Sequence, residues 1–100
     1  MSYTVSSKES ANWLYRGEYM NQRHGVSPLE ANQALNDPWR VTLDPDPSSL
    51  SGAGVRTIGV TRAWRLLTVI TLVSGGTRWG VNGCDANPTD VRRYESSRDY

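Results

Sequence analysis

The sequence predicts an α+β fold: a single small domain with helices packed on a three- to four-stranded antiparallel sheet. Three observations carry this. Ser27-Pro28-Leu29-Glu30 and Asn87-Pro88-Thr89-Asp90 both open like helices, and the residues between them alternate with period two. The elements run in the order helix, helix, strands, helix, which is an α+β order.

Met1 to Ser10 is polar and serine-rich without apolar periodicity, so residues 1–10 are expected to form a flexible N-terminal segment. From Ala11 to Arg23, Trp13, Leu14, Tyr15 and Met20 define one side of a first helix, weakened by Gly17 and ended at His24-Gly25. The second helix is better specified. Ser27 is an N-cap, Pro28 stands at the first helical position, and Glu30 completes a capping box. Asp37-Pro38 stops it.

Trp39, Val41 and Leu43 alternate with Arg40 and Thr42 as a half-buried strand does. Asp44 to Gly54, rich in proline, glycine and serine, reads as a long mobile loop. Val55, Ile58 and Val60 belong to a second strand, Leu66 to Val73 to a third, and Arg78 to Asn82 to a fourth. Arg62-Ala63-Trp64 and Ser74-Gly75-Gly76 supply the hairpin connections. Val55–Thr61 should pair antiparallel with Leu66–Val73. A last helix runs from about Pro88 to Ser97, with Val91 and Tyr94 inward and Arg92 and Arg93 outward. The domain is expected to span 11–97, with 98–100 a flexible C-terminus.

Composition narrows the classes of function. One hundred residues with 37% hydrophobic positions support one core. Leu66 to Val73 is far shorter than the ~20 apolar residues of a membrane span. No secretory signal pattern is present, so a cytoplasmic protein with no membrane association is expected. Cys84 and His24 are the only residues of their kinds, which argues against an internal disulfide or a structural zinc site. No metal or other cofactor is expected. The net charge of +1 hides an acidic first half and a basic second half, and ten of the 11 basic residues are arginine. Arginine grips phosphate through a planar fork of donors.

No glycine-rich phosphate loop or nucleophile elbow is present. Asp44 and Asp46 lie in a proline-rich loop where turn formation is their expected role. Cys84 precedes a helix start, which would lower a thiol pKa, but a plain semi-buried thiol is the simpler reading. His24 is either a helix-terminal histidine bonding carbonyls or an acid/base group for metal-free RNA cleavage. Arg56, Arg78 and Trp79 on strands, with Arg92, Arg93 and Tyr94 on the last helix, are the set that such cleavage would use. Cations hold the phosphate and its transition state, and aromatic rings stack on splayed bases.

In their order and spacing, His24-Gly25-Val26-Ser27, Glu30-Ala31, Asp37-Pro38, Ile58-Gly59, Leu66 to Thr71 and Arg92-Arg93-Tyr94-Glu95 resemble the BrnT family of toxins. The resemblance spans about Met20 to Glu95. It implies a RelE-like fold and the toxin half of a bacterial type II toxin–antitoxin pair, acting as a metal-independent endoribonuclease that inhibits translation. It also implies a DNA-binding antitoxin partner, through which alone the complex would touch DNA. Counted back from Tyr94, Trp79 and Cys84 stand where the family has arginines, Arg78 is one place out of register, and Arg23 replaces a lysine. The family's glutamate–arginine pair falls near Ala53-Gly54, with Arg56 two residues on.

On this reading His24, Arg56 and Tyr94 are catalytic, and Arg23, Arg78, Trp79, Arg92 and Arg93 hold RNA. Either His24→Ala or Arg56→Ala is expected to lower cleavage at least ~10²-fold without unfolding the protein. The alternative is a non-catalytic protein-interaction module of the same fold. Trp13, Tyr15 and Tyr19, in a segment with few aliphatic residues, are expected to form one exposed aromatic surface. An antitoxin or a second copy would cover it, burying at least ~1,000 Å².

Overall fold

The computed structural model describes residues 9–97 of the 100-residue chain. Its elements are α1 (Gly17–His24), α2 (Pro28–Leu35), β1 (Val41–Leu43), β2 (Val55–Val60), β3 (Leu66–Ser74), β4 (Thr77–Asp85) and α3 (Pro88–Ser96). The strands form one antiparallel meander in the order β1-β2-β3-β4. This is the expected α+β architecture, with four strands. Val55 pairs with Thr71 and Val60 with Leu66, which is the antiparallel pairing expected there.

Both predicted caps are present. The Ser27 hydroxyl accepts from the Glu30 amide at 3.1 Å, and the Glu30 carboxylate accepts from the Ser27 amide at 3.0 Å, a complete capping box. The Asn87 side chain accepts from the Asp90 amide at 2.8 Å. Gly25 ends α1 with φ +66°, the left-handed conformation that glycine adopts without a side-chain clash.

The core lies on one sheet face. Leu67 and Val69 of β3 meet Met20, Val26, Ala31, Ala34 and Leu35 from α1, α2 and the turn between them. Thr68, between Leu67 and Val69 and so on the opposite face, bonds Asp90, which places α3 there. Ile58 and Tyr94 are buried outside that main cluster.

Three boundaries differ from the expectation. The first helix begins at Gly17, not Ala11. Asn12 instead extends the sheet: its amide donates to the Arg78 carbonyl, and the Gly80 amide donates to its carbonyl, both at 2.9 Å. Trp13 then folds over Gly80, and its indole N–H and the Ala11 amide both donate to Asn32 Oδ1 at 3.0 Å. Gly17 is not an interior weakness but a close approach, since a Cβ there would lie 3.0 Å from Pro28. The first strand starts at Val41, leaving Trp39 outside it and exposed. The fourth strand runs on to Asp85 through a bulge opposite Ile70 and Thr71, with Gly83 beneath Met20. No apolar alternation marks Gly83 to Asp85, because the packing there uses a missing side chain.

Of the two segments expected to be flexible, residues 1–8 and 98–100 lie outside the described residues. Glu9 is described, and its carboxylate takes Arg78 at 2.8 Å and Arg40 at 3.6 Å. No helix among the described residues is long and apolar enough to cross a membrane.

A methyl group at Gly80 would overlap the Trp13 ring. Gly80→Ala should therefore cost about 1–3 kcal/mol by overpacking, visible in denaturant unfolding. It should also free Trp13, shifting its fluorescence toward that of an exposed indole, whereas Gly76→Ser in the exposed β3–β4 turn should leave that signal alone.

Candidate functional site

The alternation of β2 puts Arg56 on the α3 face, among acids rather than open to a ligand. Its Nε donates to Asp46 at 2.8 Å and its Nη1 to Asp90 at 2.5 Å. The Arg56 side chain is 15% exposed, Asp46 5% and Asp90 1%. Asp90 also accepts from Thr68 at 2.7 Å and from Arg93, one helical turn on, at 2.8 Å. Asp46 comes from the β1–β2 loop, where it also accepts from the Ser48 amide, the turn role expected of it.

Burial alone would raise the Asp90 pKa. Hydrogen bonds from Thr68, Arg93 and Arg56, with the Arg56 charge, outweigh it and hold the carboxyl below the usual carboxylate range. For Arg56, burial opposes the charge, and Asp46 and Asp90 more than restore it. Arg56→Ala would leave Asp46 without its cation and Asp90 with Thr68 and Arg93 alone, so it is expected to cost stability without unfolding the protein.

Tyr94 points inward, and its hydroxyl donates to Asp37 Oδ2 at 2.6 Å. The same oxygen accepts from the Val60 amide, so Asp37 ties the end of α2 to β2 and α3. Sequence reasoning saw Asp37 only as a helix stop.

His24 closes α1 beside β4, with its Nε2 3.5 Å from Asn82 Nδ2. Oδ1 of Asn82 is buried without a hydrogen-bond partner. The His24 carbonyl accepts from Arg65, which also reaches the Gly25 carbonyl, Glu30 and Asp85. Both acids are held below their ordinary pKa: Glu30 first by the Ser27 backbone bond and then, against burial, by the Arg65 charge, and Asp85 first by the Arg65 hydrogen bond. Arg65, Asn82, Asp46, Asp37 and Asp90 were all missed as site-forming residues. Only Asp90 carried a signal, as an acid in a capped first turn.

The nominated residues thus fall into separate places. Arg56 and Arg93 share Asp90, and Tyr94 lies on the same helix as Arg93. His24 stands at β4 while Tyr94 is bonded through Asp37 to β2, with β3 between them. Arg78 is paired with Glu9. Arg23 and Arg92 are exposed on α1 and α3, while Arg93 is half-buried. Cys84 lies inside β4, not after it. Burial raises its pKa, Arg56 opposes that, and Asp85 and Asp90 add to it, so it is a poor thiolate at neutral pH.

The expected aromatic surface also needs correction. Trp13 is buried at 8% exposure beneath the Asn12 segment. Tyr15, 74% exposed, packs its ring 5.4 Å from Trp79, which is half-buried. Tyr19 is exposed under the Arg16 guanidinium at 4.3 Å, and Leu14 is exposed nearby in sequence. The exposed apolar groups there are Leu14, Tyr15 and Tyr19, of which Tyr15 packs on half-buried Trp79. No family model matches the chain, and no curated protein matches it.

Removing Arg56 should cost about 3–5 kcal/mol, the price of an uncompensated buried charge. Arg56→Ala should thus lower the urea midpoint without changing the fold at low denaturant. A depressed native pKa adds stability above the unfolded carboxyl value, about 3.9, which is lost as pH falls through the native one. Asp90→Asn should accordingly flatten the loss of stability on acidification below about pH 4, measured as unfolding free energy against pH.

Proposed function

We propose that this protein is the toxin-like member of a bacterial type II toxin–antitoxin pair and that its principal activity is to bind a protein partner, the cognate antitoxin. One contrast carries this reading. Arg56 and Tyr94 are bonded to buried carboxylates and Arg78 is paired with Glu9, whereas Leu14, Tyr15 and Tyr19 meet solvent at and before the start of α1, with half-buried Trp79 beside Tyr15. Rigid aromatic side chains give large contact area at low entropic cost, which is why such groups anchor protein interfaces. The family resemblance supplies the kind of partner, a DNA-binding antitoxin through which DNA would be reached.

The second reading is metal-independent RNA cleavage that stops translation. Its specific support is His24, half-buried against Asn82 and adjacent in sequence to the exposed Arg23. Under it, His24 takes the proton of the attacking 2′-hydroxyl and Arg23 holds the phosphate; the P–O5′ bond breaks as the 2′-oxygen bonds phosphorus, and the leaving 5′-oxygen takes a proton from solvent.

Expression of the gene alone and with its neighbour, followed by growth curves and RNA integrity, separates the two. For the binding reading, the neighbouring product should co-purify with the chain. Tyr15→Ser with Trp79→Ser should weaken that complex at least tenfold while leaving the unfolding midpoint within error. Intact RNA with normal growth removes the ribonuclease reading. RNA cut to 2′,3′-cyclic phosphate ends, and protected by His24→Ala, establishes it. A monodisperse monomer that captures no neighbouring product removes the binding reading.

A further inference from the structure

We propose that the β1–β2 loop, residues 44–54, is a removable cover, and that the Arg56 guanidinium beneath it is a phosphate-binding site held closed by Asp46. The inference rests on the ribonuclease reading for its ligand class, an RNA phosphate, and adds Arg56 as a second cation for it. A carboxylate on a guanidinium fork presents oxygens much as a phosphate does. The two acids on Arg56 are not equivalent. Asp90 is fixed in the first turn of α3 by the Asn87 cap and by Thr68, Arg56 and Arg93 together. Asp46 sits on a loop whose other hydrogen bonds among the described residues stay within itself. The Asp46 amide donates to the Gly54 carbonyl at 2.7 Å, and the Ser49 amide donates to the Asp46 carbonyl at 2.9 Å. Ser49 and Ser51 hydroxyls collect the Gly52, Ala53 and Gly54 amides. Pro45, Pro47, Ser48 and Leu50 to Ala53 all face solvent.

Apart from the backbone at its two ends, one side-chain hydrogen bond, Asp46 Oδ1 accepting from Arg56 Nε, joins this self-bonded loop to the sheet among the described residues. When it opens, the loop keeps its internal bonds and moves as a piece. Arg56 and Arg93 then face Asp90 alone, two positive charges against one negative, with the Arg56 Nε–H unpaired and half-sheltered. That is a site for an oxyanion of phosphate size.

The test is Asp46→Ala, with Asp46→Asn as the variant that keeps the side-chain size if alanine does not fold. The Nε–Hε signal of Arg56 is followed by ¹H–¹⁵N NMR while inorganic phosphate, and separately a ribodinucleotide monophosphate, is added. In the wild-type protein the signal should stay in place. In the variant it should move saturably, with apparent affinity at least tenfold above wild type. A response to the dinucleotide assigns the site to RNA phosphodiesters, and a response to inorganic phosphate only assigns it to free phosphate. A folded variant whose Arg56 signal ignores both, or a wild type that binds as well as the variant, overturns the proposal. Binding is read without cleavage, so failure of the ribonuclease reading leaves this outcome separately legible.

Discussion

The structure depends on one buried charge. Asp90 has almost no exposed surface, and an ionised carboxylate there is tolerable only if its oxygens are fully engaged. They are: Thr68 comes from β3, Arg56 from β2 and Arg93 from its own helix. The bonds from Thr68 and Arg56 to Asp90, with that of Tyr94 to Asp37, decide where α3 sits, because α3 brings few apolar groups of its own beyond Tyr94 and half-buried Val91. The main apolar core is on the other face. The molecule therefore holds two helices to its sheet mostly by apolar contact and the third mostly by charge. Acid acts on the second attachment far more than on the first.

Much of this was legible in the sequence for a local reason. Caps and period-two alternation are written within a few neighbouring residues, so Ser27, Asn87 and the β2–β3 pairing could be read directly. The start of α1 could not, because Trp13 and Asn12 are placed by Gly80 and Arg78 at the far end of the chain. The same holds for the end of β4, where a glycine makes room for Met20. Alternation correctly put Arg56 on one sheet face. It carried no information on the two acids waiting there, one from a loop and one from a helix cap.

The candidate site was legible as a list and not as an arrangement. Arginines and tyrosines suited to phosphate chemistry are equally suited to internal ion pairs and buried hydroxyl bonds, and composition does not distinguish these uses. Partner acids decide it: Glu9, Asp37, Asp46 and Asp90 each claim a nominated group. His24 and Arg23 escape that capture, as do Tyr15 and Tyr19. His24 stands at the C-terminal end of α1, and the exposed Tyr15 and Tyr19 stand toward its start.

The seat of Trp13 has a temporal meaning. Gly80 and the carbonyl of Arg78 are made long after Trp13 and Asn12 leave the ribosome. At about 5–20 residues per second, several seconds of synthesis separate the indole from its resting place. During that interval the nascent chain displays an unburied tryptophan next to Leu14 and Tyr15, and the aromatic surface is not yet the finished one. The finished surface exists only once β4 has emerged and taken up the indole.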